Sequence, residues 1–292
     1  SLGLELCLLP IAYFGIRNGA EATDEGVRIA PEQPKYPHEK IWNALRLTAR
    51  DTLYETGRLY AKLAGQRGFY GLVVFLMLIA FVKLIFMQMD YVYPKFGIRE
   101  LGAGAPILRL PEMNSYLIIV LVPLVGLLTR KMTAYTTVTV GCVISAASGF
   151  VMALPLSWFG PLAGSALVRW IGYRYLGLSG EVHPYYVMIG LYVVLLSLGE
   201  AFYSPRVYEY AASIAPKGQE ASYGALSYVP FFLAKLLVGT VSGSLLASYC
   251  PESGPRDPQT MWLIIALITT VCPVGLIALR RWIRVREAGR EE

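Results

Sequence analysis

Six apolar stretches, nearly free of charge, take up most of this chain: Phe69 to Met89, Pro111 to Thr129, Thr133 to Pro155, Tyr185 to Pro205, Ser222 to Ala247 and Thr260 to Trp282. Each is close to the roughly 20 residues that a helix needs to cross bilayer hydrocarbon at about 1.5 Å per residue. In lipid every backbone N–H and C=O must be bonded internally, so such stretches must be helices. The polar/apolar alternation of a membrane β-barrel is missing. A shorter run, Leu2 to Ile16, lacks the basic start and small-residue cleavage site of a signal peptide and reads as the end of a preceding span. The expectation is an all-α membrane protein. It comprises the end of a span at 1–16, a linker with an amphipathic helix at 17–67, a six-helix bundle at 68–283 and a basic tail at 284–292.

Composition agrees. Only 16% of the 292 residues are charged, against about 25% in soluble domains. The net charge of +6 does not imply a nucleic-acid partner, because the basic residues cluster between the apolar stretches and at the C-terminus. Cys7, Cys142, Cys250 and Cys272 are scattered without C-x-x-C spacing, and the chain has only two histidines. Neither zinc nor a disulfide framework is indicated, and no cofactor is expected.

The connectors test the span count independently. Nine Lys/Arg lie in 17–67, two at Arg130-Lys131, two in 206–221 and five from Arg280 onward. If the six spans alternate, these eighteen share one side, and six (Lys95, Arg99, Arg109, Arg169, Arg174, Arg256) share the other. The positive-inside rule then places the linker and the C-terminus in the cytoplasm. Pro31, Pro34 and Pro37 predict an irregular early linker. From Glu39 to Leu63, apolar residues at Ile41, Trp42, Leu45, Leu53, Leu59 and Leu63 permit an amphipathic helix. That helix lies on the membrane surface or packs on the cytoplasmic end of the bundle. Trp158, Trp170 and the tyrosines of 157–183 suit the opposite interface.

Local sequence sharpens the reading. Gly199-Glu200-Ala201-Phe202-Tyr203-Ser204-Pro205, followed by Ile214-Ala215-Pro216-Lys217, resembles the tenth helix and following loop of proton-coupled oligopeptide transporters. A long basic linker ahead of six spans resembles the second half of the major facilitator superfamily, in which two six-helix halves rock about a midplane site. The resemblance implies that an N-terminal half of the same transporter is a partner, along with membrane lipid, protons and a small zwitterionic substrate. The sequence departs from the pattern at Arg206-Val207-Tyr208-Glu209 after Ser-Pro, at Lys235, and at Gly126…Arg130-Lys131, where the usual acidic residue is missing.

Ionised groups at membrane depth cost at least ~2.5 kcal/mol, and persist when paired or hydrated. Three qualify as candidates for substrate or proton binding. Glu200 lies about 22 Å into its span, and the resemblance implies a role at the substrate's amino end. Lys235 lies about 20 Å from the cytoplasmic edge of the next span, which makes it the expected partner of Glu200. Lys83 lies near mid-span. Asp90, Arg206 and Glu209 are candidate gating residues; the resemblance implies the role of Asp90, and the i,i+3 spacing pairs Arg206 with Glu209. Gly239, Gly243 and Ala247 form a small-xxx-small stripe expected to let another helix approach. Pro123, Pro230 and Pro273 are expected to bend their spans.

No G-x-x-x-x-G-K-[ST] phosphate loop occurs, so an ion or substrate gradient must supply the driving force. A membrane-embedded enzyme would require nucleophile, base or metal ligands at one depth. Only His183 lies near a span, at its outer edge. A receptor or scaffold on a transporter fold, and a carrier of non-peptide solutes, are the alternatives.

Overall fold

The computed structural model divides at Gly65–Gln66 into two units, one of residues 1–65 and one of residues 66–292. It describes residues 20–23, 26–29, 36, 40–65, 67–213, 224 and 228–283. The expected span end at Leu2 to Ile16 and the tail 284–292 lie outside the described residues.

In the first unit, β1 (Ala20–Thr23) pairs antiparallel with β2 (Gly26–Ile29), in register from Ala20↔Ile29 to Thr23↔Gly26. The irregular stretch expected at Pro31, Pro34 and Pro37 lies outside the described residues; the hairpin ahead of it was not foreseen, because four-residue strands are too short to leave an alternation signal. Helix α1 (Ile41–Ala64) follows, near its expected place. Its Ile41, Trp42, Leu45 and Leu53 are exposed, and Tyr36 donates to the Asp51 carboxylate.

The second unit contains α2 (Arg67–Tyr91), α4 (Arg109–Leu128), α5 (Ala134–Met152), α8 (Pro184–Ser213) and α10 (Pro258–Ala278). These five helices are long and apolar enough to cross a membrane. A further helix, α9 (Val229–Tyr249), has 21 residues and one charge, Lys235. Short helices fill the connections: α3 (Tyr93–Leu101), α6 (Gly160–Ala163), α7 (Ala166–Ile171) and α11 (Arg280–Ile283). Start signals are local. Thr133 caps α5 by accepting from the Thr136 N–H at 3.3 Å. Asp257 caps α10 through the Thr260 N–H at 3.1 Å, with Pro258 in the first turn, where its missing N–H costs nothing. That hydrogen bond holds the Asp257 carboxyl below its usual range.

Of the fifth stretch, expected from Ser222 to Ala247, Ser222, Tyr223 and residues 225–227 lie outside the described residues; Gly224 is helical, and α9 begins at Val229 behind the turn residue Tyr228. Lys235 lies six residues, roughly 9 Å, into α9. Pro230 sits in the first turn of α9, where its missing N–H costs nothing. Pro123, Pro205 and Pro273 lie inside helices.

Helix α8 packs on α4 and α5, α5 on α10, α10 on α2, and α2 on α9. Direct side-chain contacts also join α2 to α8: Tyr192 donates to the Ile85 carbonyl at 3.1 Å, and the Phe75 and Tyr210 rings meet at a tilt, centroids 4.5 Å apart. The connectors sort to opposite ends. Arg99 pairs with Glu252 at 3.1 Å, and Arg256 with Glu100 at 3.5 Å. Arg109 donates to the Tyr175 carbonyl at 2.7 Å. At the other end Arg206 reaches Thr129 at 3.3 Å, and Tyr210 donates to the Ile283 carbonyl at 2.9 Å. The long helices therefore alternate in direction. Large apolar side chains stay outside, such as Ile119, Leu124 and Leu127 on α4 and Leu267, Val274 and Ile277 on α10. Water would penalise so wide an apolar exterior, whereas lipid would not. The arrangement is compatible with a multi-pass integral membrane protein.

Candidate functional site

A tight crossing of α5 and α8 sets the site. A Cβ on Gly199 would lie 2.8 Å from the Gly141 carbonyl oxygen and 2.8 Å from the Ser145 nitrogen. One on Gly141 would lie 2.7 Å from the Gly199 oxygen. Only glycine allows the two backbones this approach, and the crossing fixes the turn of α8 that carries Glu200.

Glu200 is held from two sides. Lys83 on α2 approaches one carboxylate oxygen at 3.8 Å. Asn114 on α4 donates to the other at 3.3 Å and to Ser197 Oγ at 2.9 Å. Ser197 in turn donates to the Val193 carbonyl at 2.7 Å. The Lys83 ammonium also sits 5.2 Å from the Phe86 ring centroid and 5.0 Å from that of Tyr203. Two ring faces therefore assist the carboxylate in carrying its charge. The pair is mostly buried, with the two side chains 16% and 21% exposed.

Lys83 lines a cavity of about 450 Å³ with Asp90, Pro111, Asn114, Tyr208, Tyr228 and Lys235 among its walls. The cavity follows a furrow between α2, α4, α8 and α9. Asp90 and Pro111 mark one end; Tyr208 and Tyr228, with ring centroids 5.5 Å apart, mark the other. The furrow thus offers an acid, two bases and an amide on walls that are otherwise apolar or aromatic.

Of the sequence candidates, Lys83, Glu200, Asp90 and Lys235 gather here. The expected Glu200–Lys235 pairing is corrected: the partner of Glu200 is Lys83, and Lys235 is exposed on the furrow wall. Sequence order misled, because α2 and not α9 faces α8 at this depth. Arg206 and Glu209 do pair and bridge to Thr129 at the opposite end from Asp90. Gly239, Gly243 and Ala247 are exposed. A Cβ on either glycine meets nothing within 4 Å, so within the described residues no helix approaches that stripe. Asn114, Ser197, Gly141 and Ser145 were missed. The signal available was a Gly-xxx-Ser pair in the third stretch, and an amide three residues inside the second. Gln88 is buried and accepts from Ser242 at 2.8 Å, tying α2 to α9. Among the described residues, no group of His, Cys, Asp and Glu could hold a metal ion.

At the far end of α2, Arg99 donates to the Cys250 carbonyl and Arg256 to the Arg99 carbonyl. This network buckles α3 to the connection between α9 and α10. Burial pushes the Cys250 thiol up, Glu100 adds to the effect, and the two arginines oppose it.

Compared with known proteins, the sequence matches no family model, and no curated protein and no solved structure matches the chain.

Proposed function

We propose that this chain forms the second half of a secondary transporter of the major facilitator kind, moving a small zwitterionic solute, short peptides first, together with protons. The observation that carries the reading is the mostly buried Lys83–Glu200 pair behind the wall of a polar furrow between long apolar helices. Ionised groups persist at such depth when they pair or serve a hydrated path. A proton or a substrate ammonium arriving at Glu200 replaces Lys83 as its partner. Lys83, retained by the Phe86 and Tyr203 rings, then turns its charge to a substrate carboxylate in the furrow. Asp90 and Lys235 supply a second acid and base along the same walls. Arg206 and Glu209, at the opposite end, serve as gate contacts. Exchange of partners at Glu200 thus links ligand charge to the rocking of one half against the other. The positive-inside rule puts the linker and the C-terminus in the cytoplasm.

The test is uptake into proteoliposomes by the full-length parent under an imposed pH gradient. Glu200→Gln and Lys83→Met should each abolish gradient-driven accumulation while leaving the protein inserted and helical. Uptake untouched by Glu200→Gln overturns the site. Gradient-driven uptake confined to non-peptide solutes replaces the substrate class, and failure across a broad panel favours a receptor or scaffold.

A further inference from the structure

Two cavities adjoin at the end of the bundle that carries the connection between α5 and α8. One, of about 390 Å³, is lined by Arg169, Tyr173 and Glu181, with Gly160 and Gly164 leaving it open. The Arg169 guanidinium lies 5.9 Å from the Tyr173 ring centroid, and no ion pair joins Arg169 to Glu181. Opposite charges therefore share one space and are held apart in it. The other cavity, of about 280 Å³, lies between α4, α7 and α8. Its walls are apolar: Leu110, Met113, Val168, Ile171, Gly190 and Val194 are among them. Val182 lines both cavities.

The two surfaces meet at the right level for an amphiphile. From Tyr186 to Val194 the groove follows α8 for about 12 Å, from the rim into the depth of the apolar helices. A Cβ on Gly190 would meet nothing within 4 Å, so the groove is open above it. Trp158 and Trp170, both exposed beside this rim, are the side chains that settle at headgroup level. Water gains nothing in a groove that offers it no polar partner, whereas a hydrocarbon chain fills it. A guanidinium suits a phosphate, and a carboxylate across the same cavity suits an ammonium.

The geometry points to a structural lipid site: a zwitterionic glycerophospholipid places its phosphate toward Arg169, its amine toward Glu181 and one acyl chain in the groove over Gly190. The inference requires only that the apolar helices cross a bilayer, and it stands apart from the transport reading.

Native mass spectrometry of the full chain in mild detergent, titrated with phosphatidylethanolamine or phosphatidylglycerol, tests it without substrate or gradient. Phosphatidylethanolamine should be retained about tenfold more tightly than phosphatidylglycerol, the ratio expected of one charged contact. Gly190→Leu fills open space and keeps the helix, so it should cut retention of both lipids about tenfold. Glu181→Gln should erase the preference between them, and Arg169→Gln should weaken both. Glycerophosphoethanolamine, the headgroup without chains, should not compete. Equal retention of the two lipids, a preference for phosphatidylglycerol, or a Gly190→Leu variant of unchanged helix content and unchanged retention would each overturn the site.

Discussion

Small residues at four-residue spacing occur on α5 and on α9, and the two sets meet opposite surroundings. Gly141 and Ser145 on α5 press against Gly199 on α8 until a Cβ on Gly199 would collide with backbone and with Ser145 Oγ. Gly239, Gly243 and Ala247 on α9 are exposed, and the two glycines have open space above them. Spacing announces that a helix can be approached closely; it does not say that one is. What separates the two sets is their neighbour. Gly199 precedes Glu200, and the crossing it permits holds that carboxylate where Lys83 and Asn114 reach it. On α9 the charge one turn ahead of Gly239 is Lys235, which is exposed on the furrow wall.

The same substitution at both places gives the largest contrast. Gly199→Ala forces backbone to move and should cost about 3 kcal/mol, at the upper end of overpacking effects. Thermal unfolding in detergent, followed by a thiol-reactive dye on the buried Cys142 and Cys272, would register it as a marked loss of melting temperature. A Gly199→Ala protein as stable as the parent would erase the distinction between the two sets. Next in size, Lys83→Met strands Glu200 without its cation and should cost about 2 kcal/mol, less than a fully buried pair because both groups keep some exposure. The double variant Lys83→Met/Glu200→Gln should recover most of that loss by the same dye assay. Arg256→Ala, at the end of the bundle, breaks a more exposed contact and should cost at most about 1 kcal/mol. Smallest and opposite in sign, Gly243→Ala should stabilise by about 0.5–1 kcal/mol through helix propensity alone. A loss there would mean that another surface does pack on α9.

Much of the fold was legible because lipid imposes a plain rule on sequence. Long uncharged runs placed α2, α4, α5 and α10 within a few residues of their ends and the start of α8 within one, whereas α8 runs eight residues past its expected end at Pro205, to Ser213. The start of α9 was harder to read, because the apolar pattern runs back from Val229 through Tyr228, Leu226 and Ala225 without a break. Candidate charges were legible too, since each is conspicuous against an apolar background. Their partners were not. Lys83 and Glu200 are more than a hundred residues apart, and which helix faces α8 depends on the order of packing around α5 and α10. A run of apolar letters does not encode that order. Asn114 was overlooked for a related reason: an uncharged amide in the first turns of a span carries no signal until the carboxylate it serves is known.

The 30 residues of α8 make a rod of about 45 Å, half as long again as the ~30 Å depth of bilayer hydrocarbon. To submerge all of it would need an inclination of about 48°, steeper than the range observed for such rods. Some of it must therefore stand clear in water, and Arg206 and Glu209, close to its C-terminal tip, are the residues equipped to do so. The rod is held at two levels, where Gly199 crosses Gly141 and where Tyr210 meets Phe75 and the Ile283 carbonyl, so any tilt about the first hold that displaced the tip would have to break the second.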